Sequence, residues 1–439
     1  MTNTTGYGAP MSDAAAERDA PTRLPRDPFG TIAIVAGTAV AALSIYVFQV
    51  IAGRSLGTTD FAPIGVIWSV QFLVFTVLDV PVEQYVTRRL TIGGGRWISD
   101  RRAVVATVIP LTLGVIIGTA FVLATRDRFF GGSAAFAAVM AGLLVSRAVA
   151  SLGRGSLVGR RRFRAYGGSL GLEGAVGVAL AAAVATTNPT TLAFAAILPI
   201  SPLVVFLTRP FRPSETMPVL ATSVPAGYAF LWALVAATAA SQIILASGPV
   251  VVGFIGGTAA AISVIFVTFS LFRSPVTSSY PLVARVLPDF TAIAAAGDDR
   301  RLNLLTARLG AAGAAAGVLF GFLGWILGPA VVELLYGSEF APSSPIAALA
   351  AAAVGFALAS LFLNQIYVAR GETGRLAAIW WTALAIASAT LLMVDGEPVE
   401  RVAVSFLIGE AIALVLLVWV AVASHLRSTD VGAIEAEQY

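Results

Sequence analysis

Cysteine is absent from the sequence, and histidine occurs only once, as His425. Without cysteine the chain has no disulfide, no thiolate metal site and no cysteine nucleophile. A single histidine at the end of the last apolar run argues against a histidine-based metal site or catalytic triad. The sequence therefore predicts no catalytic site, no metal site and no organic cofactor.

Charged residues are also scarce. They make up 12% of the 439 residues, whereas a soluble domain is about a quarter charged. Apolar residues make up 57%, and the mean hydropathy is +0.86. A soluble core cannot absorb so many apolar side chains, so lipid is the expected solvent. All 28 basic residues are arginine, which together with abundant alanine and glycine indicates a GC-rich bacterial genome.

Two further motifs are missing. No glycine-rich loop ends in Lys-Ser or Lys-Thr, so the chain itself is not expected to hydrolyse ATP. Residues 1–28 are polar and mixed in charge, which predicts a disordered cytoplasmic tail. They lack the basic-then-apolar order of a cleavable signal peptide. We therefore expect the first apolar run, from Thr31, to remain as a membrane span.

Long apolar runs predict an all-α polytopic membrane protein with about twelve transmembrane helices, because about 20 apolar residues cross a bilayer. The runs lie at about 31–52, 62–84, 103–124, 133–153, 166–186, 190–208, 223–246, 249–272, 303–327, 343–369, 376–394 and 400–423. The predicted organisation is a six-helix bundle over 29–208, a cytoplasmic linker over 209–222, a second six-helix bundle over 223–424 and a cytoplasmic tail over 425–439.

The arginines predict the orientation. If the N-terminus is cytoplasmic, all arginines fall on the cytoplasmic side except Arg54, Arg126, Arg128 and Arg401. The sequence thus predicts a multi-pass protein of the bacterial inner membrane with both termini in the cytoplasm. The external loops are short, the longest lying around 328–345. Polymerases and glycosyltransferases that act on lipid-linked sugars usually need a large external loop, so a membrane enzyme of that kind is a weaker interpretation.

The two halves of the chain resemble each other. Gln49 lies 32 residues before Pro81, and Gln242 lies 33 residues before Pro275. Each proline is followed by valine, and Asp79 and Arg273 each precede a Pro-Val pair by two residues. Two six-helix halves related as a repeat are a common plan of transporters.

Four stretches resemble the oligosaccharide flippase family, which exports lipid-linked polysaccharide units and belongs to the multidrug/oligosaccharidyl-lipid/polysaccharide exporter superfamily. They are AGRSLGTTDF at 52–61, RGSLVGRRRF at 154–163, LLYGSEF at 334–340 and NQIYVARGE at 364–372. In that family the first stretch ends in glycine, where this chain has Ala62. All four stretches lie in the expected order at predicted helix boundaries.

This resemblance implies two six-helix bundles around a central cavity, alternating access, and a lipid-diphosphate-linked oligosaccharide as cargo. It also suggests membrane lipids, a polysaccharide polymerase and glycosyltransferases as partners, and no nucleic acid. Neither the sugar nor the coupling ion, H⁺ or Na⁺, follows from the sequence. The principal alternative is a drug or cation antiporter of the same superfamily. The excess of arginine on the cytoplasmic side favours a cargo with an anionic headgroup over a cationic cargo.

Intramembrane acids are candidates for ion binding or gating, because a charge at the bilayer centre costs about 2.5–3.5 kcal/mol on insertion scales. Asp79 and Glu83 lie four residues apart on one helical face. They predict a cavity-facing proton or cation site, a gate, or a pair near the membrane surface. Glu173 and Arg147 predict a structural salt bridge, and Glu410 has no obvious partner in the sequence.

Candidate cargo-binding residues are arginines and uncharged polar side chains. Arg273 suits a diphosphate because the guanidinium donates paired hydrogen bonds, although it also fits a positive-inside anchor. A hypothesis for the inner gate is that Asp79 pairs with Arg273 when no cargo is bound. Further candidates are the headgroup-attracting basic cluster Arg154, Arg160, Arg161, Arg162 and Arg164, and the glutamines Gln49, Gln242 and Gln365.

Overall fold

The computed structural model describes residues 28–92, 101–212 and 228–437. The predicted tail over 1–28, apart from its last residue, and most of the linker over 209–222 lie outside the described residues. Within them the chain is helical and contains no strand, which confirms the all-α fold class. The α-helices are α1 (Pro28–Val74), α2 (Val80–Ile92), α3 (Arg101–Ala124), α4 (Arg126–Phe129), α5 (Ala135–Gly159), α6 (Phe163–Thr187), α7 (Thr191–Ile197), α8 (Tyr228–Ala246), α9 (Gly248–Phe254), α10 (Ala259–Phe272), α11 (Ser274–Ala295), α12 (Asp299–Tyr336), α13 (Ser344–Ala369), α14 (Thr373–Met393) and α15 (Pro398–Glu437).

Ten helical stretches of the described residues are long and apolar enough to cross a membrane. The first, Phe29–Thr87, has 59 residues, or about 88 Å as a straight helix, although the hydrocarbon core is about 30 Å thick. It folds back at Gly57, whose φ of 72° favours glycine. The rings of Phe48 and Trp68, on opposite sides of this turn, lie 5.3 Å apart. With this stretch counted as two spans and α8 added, the helices correspond to the twelve predicted spans.

Glycine lets the first bundle pack closely. A Cβ atom on Gly37 of α1 would collide with the backbone of Gly167 in α6, and a Cβ atom on Gly174 would meet Ser44. Small residues at such contacts allow two helix backbones to approach in a membrane. α5 packs against α2 and α3 on the other side of this bundle.

The second bundle is built around α12 and α13. Glycines recur along α12 every three or four residues, and Gly313, Gly317 and Gly324 face alanine or phenylalanine side chains of α13. α15 packs against α13 and α14, and α14 packs against α8. The predicted Ala/Gly-rich span over 303–327 is therefore part of a 38-residue helix, Asp299–Tyr336.

One predicted apolar run is divided in the structure. The run over 223–246 ends where α8 ends, at Ala246, but the run over 249–272 forms two helices, α9 and α10. Pro249 lies in the first turn of α9, where a missing N–H costs no hydrogen bond. The turn between the two helices lies at 255–258, where Gly256 has a φ of 99° and the Thr258 side chain accepts from Ala261 N–H to cap α10.

Candidate functional site

The second span of each half is irregular at the same position. Phe75–Asp79 forms a π-helical segment just before Pro81, and the helix of the other half breaks at Arg273, between α10 and α11, just before Pro275. Proline lacks an N–H and its ring collides with the carbonyl four residues earlier. An inserted residue or a break relieves this collision. Asp79 and Arg273 therefore lie at matching distortions, as expected for a repeat.

Arg273 follows α10, which ends at Phe272 as the predicted run over 249–272 does. It lies inside a longer helical pair that continues to Ala295, and it is 8% exposed. Its guanidinium lies 4.3 Å from the ring centroid of Phe72 in the first bundle, and its Nη1 donates to the Leu245 carbonyl of the second bundle at 3.3 Å. We call this region, formed by Phe72, Leu245 and Arg273, the bundle junction.

A buried ionic cluster lies within the first bundle. Glu173 of α6 pairs with Arg147 at 2.8 Å and with Arg154, both on α5. The charge of Arg154 and the hydroxyl group of Tyr166 also interact electrostatically with the carboxyl group of Glu83 in α2. The side chains of this triplet of ion-paired residues are 4–18% exposed. The predicted Arg147–Glu173 salt bridge is therefore present in the structure.

Asp79 lies at the edge of the ionic cluster. It is 2% exposed, and its Oδ2 has no hydrogen-bond partner among the described atoms. The charged side chains of Arg147 and Glu83 interact electrostatically with the carboxyl group of Asp79. Ser151, one turn after Arg147, also has a buried Oγ without a partner. No ion pair of the described residues joins Asp79 to Arg273, so the hypothetical gate pair is not formed in this conformation.

The glutamines occupy three different environments. Gln49 is fully buried between the bundles, where its Oε1 accepts from Ser270 Oγ at 3.1 Å and from Tyr336 Oη at 3.3 Å. Gln242 is buried in α8, and its Oε1 has no partner among the described atoms. Among the described residues, Gln365 donates only to the Leu361 carbonyl of its own helix, at 3.4 Å.

Glu410 is isolated within the second bundle. It is 1% exposed in α15, and its Oε2 has no hydrogen-bond partner among the described atoms. The neighbouring Gly409 faces Ile244 of α8 and Ala387 of α14. The structure therefore places Glu410 far from the ionic cluster, inside the other bundle.

The structure divides the predicted basic cluster. Arg154 is buried in the ionic cluster rather than grouped with the other arginines. Arg162 donates to the carbonyls of Thr208 and Arg209, and Arg160 donates to the carbonyl of Arg212. Both arginines therefore bind the backbone at and just after the end of the 3₁₀ helix Ser201–Thr208. The exposed members are Arg161 and Arg164, the latter 5.1 Å from the ring of Phe29. Only these two remain suited to attract a headgroup.

At the end of the molecule that carries Glu339, the two bundles are closed against each other. Arg54 of the first bundle donates to the carbonyls of Leu334 and Leu335 at 2.6 Å. Arg128 donates to the Gly253 carbonyl, and Ser263 Oγ donates to the Thr58 carbonyl at 2.6 Å. A pocket of about 540 Å³ lies beside these contacts and is lined by residues that include Asp60, Ala62, Asp127 and Arg128.

Several of these contacts were not predicted from the sequence. Phe72, Ser270 and Leu245 carry no signal of a site, because an apolar run gives no indication of which residue meets the other bundle. Ser151 could have been found, since a serine one turn from Arg147 and three residues before Arg154 shares their helical face.

By sequence, the chain matches no protein family and no curated protein. By structure, it is similar to an inward-facing multidrug resistance MATE family transporter of the MOP superfamily, with 14% identity, 91% of this chain and 99% of that chain covered, and a TM-score of 0.65. It is also similar to the lipid II flippase MurJ in an inward closed conformation, with 11% identity, coverages of 89% and 87%, and a TM-score of 0.62. An outward-facing MATE structure gives 14% identity, coverages of 91% and 97%, and a TM-score of 0.56. The chain therefore shares the fold of MATE transporters and MurJ.

Proposed function

We propose that the chain is a flippase of the bacterial inner membrane that moves a lipid-diphosphate-linked oligosaccharide, or a related polysaccharide precursor, by alternating access between its two bundles. The shared fold with MurJ, which is a lipid II flippase, supports a lipid-linked cargo. The four sequence stretches that resemble oligosaccharide flippases support the same class. In this proposal the chain is a transporter and not an enzyme, and a polymerase and glycosyltransferases are its predicted partners.

The observation that carries the proposal is the position of Arg273. It is buried where the bundles meet, and it contacts both of them. A buried arginine is costly unless something anionic or polar repays its desolvation. A diphosphate fits because a guanidinium donates two parallel hydrogen bonds to it and keeps its charge. Opening of the bundles would free the guanidinium from Phe72 for this role.

The test is transport by the purified protein in liposomes that contain a fluorescent polyprenyl-diphosphate oligosaccharide. The fraction of sugar accessible to an added lectin reports flipping. We expect flipping by the wild type and a loss of about tenfold or more in Arg273→Gln, since 1.4 kcal/mol of lost binding corresponds to a factor of ten. Arg401→Gln removes an arginine away from the junction and should flip normally. No flipping by well-folded wild-type protein contradicts the proposal.

The alternative is a drug or cation antiporter, which the similarity to multidrug MATE transporters favours. A cationic cargo would need an acid rather than an arginine where the bundles meet. The same liposomes, loaded with ethidium, distinguish the two: ethidium transport that Arg273→Gln leaves intact would support the antiporter. A polymerase or glycosyltransferase is disfavoured because the connection between α12 and α13, the place of the predicted longest external loop, spans only 337–343.

The proposed orientation places the Arg160 end in the cytoplasm. Because the chain has no cysteine, single cysteines report accessibility directly. Ala292 and Ser338 are both exposed, at opposite ends of the molecule. We expect Ala292→Cys to be shielded from an impermeant thiol reagent in intact cells, and Ser338→Cys to be labelled. The reverse pattern refutes the orientation. Ser156 is unsuitable as a probe because it is fully buried in either orientation.

A further inference from the structure

A group of uncharged polar side chains joins the two bundles. Gln49 of α1 accepts at its Oε1 from Ser270 Oγ of α10 at 3.1 Å and from Tyr336 Oη of α12 at 3.3 Å. All three side chains are buried. Gln49 belongs to the first bundle and its two partners belong to the second, so both hydrogen bonds cross from one bundle to the other. We call these three residues the Gln49 cluster.

Gln49 leaves one of its hydrogen-bonding groups unused. Its Nε2 is buried and has no hydrogen-bond partner among the described atoms. A buried amide that has lost water and gained no other acceptor is destabilising. Folding therefore does not explain the glutamine, because an apolar side chain of similar size would avoid this cost. An unsatisfied donor of this kind indicates a role in another conformation or toward a ligand.

The Gln49 cluster lies one helical turn from Arg273. Along α10, the residues that contact the first bundle recur every three or four positions, which places them on one helical face. They are Ser263, Phe266, Ser270 and Arg273, which meet Thr58, Phe61, Gln49 and Phe72, respectively. Ser270 lies about 4.5 Å along the helix from Arg273, on the side toward the closed end of the molecule, where α10 begins.

We propose that the Gln49 cluster is the subsite for the first sugar of the cargo, the sugar that is bonded to the diphosphate. This inference rests on the proposed function, in which Arg273 binds the diphosphate. An amide and two hydroxyl groups both donate hydrogen bonds to, and accept them from, the hydroxyls of a neutral sugar. The ring of Tyr336 adds an apolar face for the C–H groups of the sugar. One helical turn is a spacing that suits a sugar joined directly to the diphosphate.

Separation of the bundles makes this subsite available. It breaks both hydrogen bonds of Gln49, since each of them joins the two bundles. Hydroxyls of a bound sugar replace these bonds and supply an acceptor for Nε2, so a glycosylated cargo favours the open conformation. A lipid diphosphate without sugar has no groups that reach the cluster. The Gln49 cluster therefore distinguishes a glycosylated cargo from its bare carrier lipid.

The test compares the affinities of the purified full-length protein in lipid nanodiscs for two ligands. One is a polyprenyl-diphosphate oligosaccharide, the other is the same polyprenyl diphosphate without sugar, and both carry a fluorophore at the lipid end. We expect Gln49→Leu and Tyr336→Phe each to weaken binding of the glycosylated ligand about three- to tenfold, as loss of hydrogen bonds does. Neither variant should alter binding of the sugar-free ligand, whereas Arg273→Gln should weaken binding of both.

Tyr367→Phe is the matched control for Tyr336→Phe. Tyr367 is also fully buried, and its Oη donates to the Leu417 carbonyl at 2.7 Å, but both of these residues belong to the second bundle. This variant removes the same phenol group without touching the surface between the bundles. Both affinities should therefore equal those of the wild type.

The outcomes separate failure of the subsite from failure of the proposed function. If Gln49→Leu and Tyr336→Phe weaken both ligands equally, or weaken neither, the cluster only joins the bundles and the subsite is refuted. A wild type that binds both ligands with the same affinity also refutes the subsite, while the flippase proposal stands. A wild type that binds neither ligand contradicts the flippase proposal and the subsite together.

A second measurement needs no variant. A photoreactive group placed on the first sugar of the glycosylated ligand should crosslink to peptides of the wild type that contain Gln49, Ser270 or Tyr336. Mass spectrometry of the digested protein identifies these peptides. Crosslinks found only in other helices overturn the subsite, even if the substituted proteins do not fold.

Discussion

Glu173 joins α5 to α6 by pairing with two arginines at once. Arg147 and Arg154 lie seven residues apart, or about two turns, so both point from α5 toward the same side of α6. Without Glu173, each of these buried arginines would lose the acid with which it forms an ion pair. A buried ion pair adds little net stability by itself, but removal of one partner is costly because the other stays buried.

Replacement of Glu173 by glutamine should therefore destabilise the protein by about 3–5 kcal/mol. The measurement is the free energy of unfolding, or the thermal midpoint, of purified protein in detergent. Glu372→Gln is the matched control, because Glu372 pairs at 3.1 Å with the exposed Arg375 and is itself only partly buried, and a pair at the surface contributes about 0.2–1 kcal/mol. Equal midpoints for the two variants would contradict a structural role for the Glu173 pairs.

Residue pairing was only partly predictable from the sequence. The Arg147–Glu173 pair followed from the need of two intramembrane charges for partners on adjacent helices. The involvement of Arg154 could not be predicted, because the sequence RGSLVGRRRF resembles a single basic segment. The sequence does not show that α5 extends to Gly159 and buries Arg154, the first arginine of that segment. The rotation of each helix about its axis depends on packing with several neighbours. The sequence therefore could not show that Asp79 Oδ2 is buried without a hydrogen-bond partner among the described atoms.

Helix α12 shows how an element of small residues becomes a packing surface. Gly355 of α13 faces Gly317 of α12 so closely that a Cβ atom would lie 2.6 Å from the Gly317 nitrogen. The contact lies in the membrane, where helices gain stability from close packing rather than from the hydrophobic effect. A methyl group at this position would separate the two helices.

Gly355→Ala should thus lower the stability of the second bundle by about 1–3 kcal/mol, as overpacking does. Gly374→Ala is the control, since Gly374 is helical and no atom would lie within 4 Å of a new Cβ atom. There the loss of backbone entropy from the unfolded chain should make alanine neutral or stabilising by up to about 1 kcal/mol. Thermal midpoints of both variants measure the difference, and equal destabilisation would refute the packing argument.

The helices themselves were predictable, because their apolar runs match the membrane thickness, whereas some of their ends were not. The division of the predicted run over 249–272 into α9 and α10 was not predicted, and Pro249 lies in the first turn of α9, where proline is tolerated. The true turn has its own signal, a glycine pair followed by Thr258, which caps α10. α12 extends to Tyr336, beyond the predicted span, because an apolar run predicts the part of a helix that lies in the bilayer and not where the helix ends.

At the scale of the whole molecule, two of the four arginines on the predicted external side connect the bundles. Arg54 donates to the last-turn carbonyls Leu334 and Leu335 of α12, and Arg128 donates to Gly253 near the end of α9. Carbonyls at a helix C-terminus lack partners within the helix and carry partial negative charge, so they attract cations. These contacts also join the stretches AGRSLGTTDF and LLYGSEF, since the rings of Phe61 and Phe340 lie 5.8 Å apart.

Alternating access requires this end to open, so removal of both arginines should shift the protein toward the open conformation. Ala62 is 4% exposed and lines the adjacent pocket, and a cysteine there reports opening through its rate of reaction with a maleimide. We expect the rate for Ala62→Cys to rise about tenfold when Arg54→Ala and Arg128→Ala are added, because 1.4 kcal/mol of lost hydrogen bonding gives that factor.

Arg401→Ala provides the matched control for this experiment. Arg401 also donates to a carbonyl near a helix C-terminus, that of Leu391 in α14, at 2.7 Å, but both residues belong to the second bundle. Its removal costs a contact of the same kind without separating the bundles, so the labelling rate should not change. If Arg401→Ala raises the rate as much as the double substitution does, the effect comes from general loosening of the fold. In that case Arg54 and Arg128 do not hold the closed end, and the closed conformation depends instead on the aromatic contacts around Phe61.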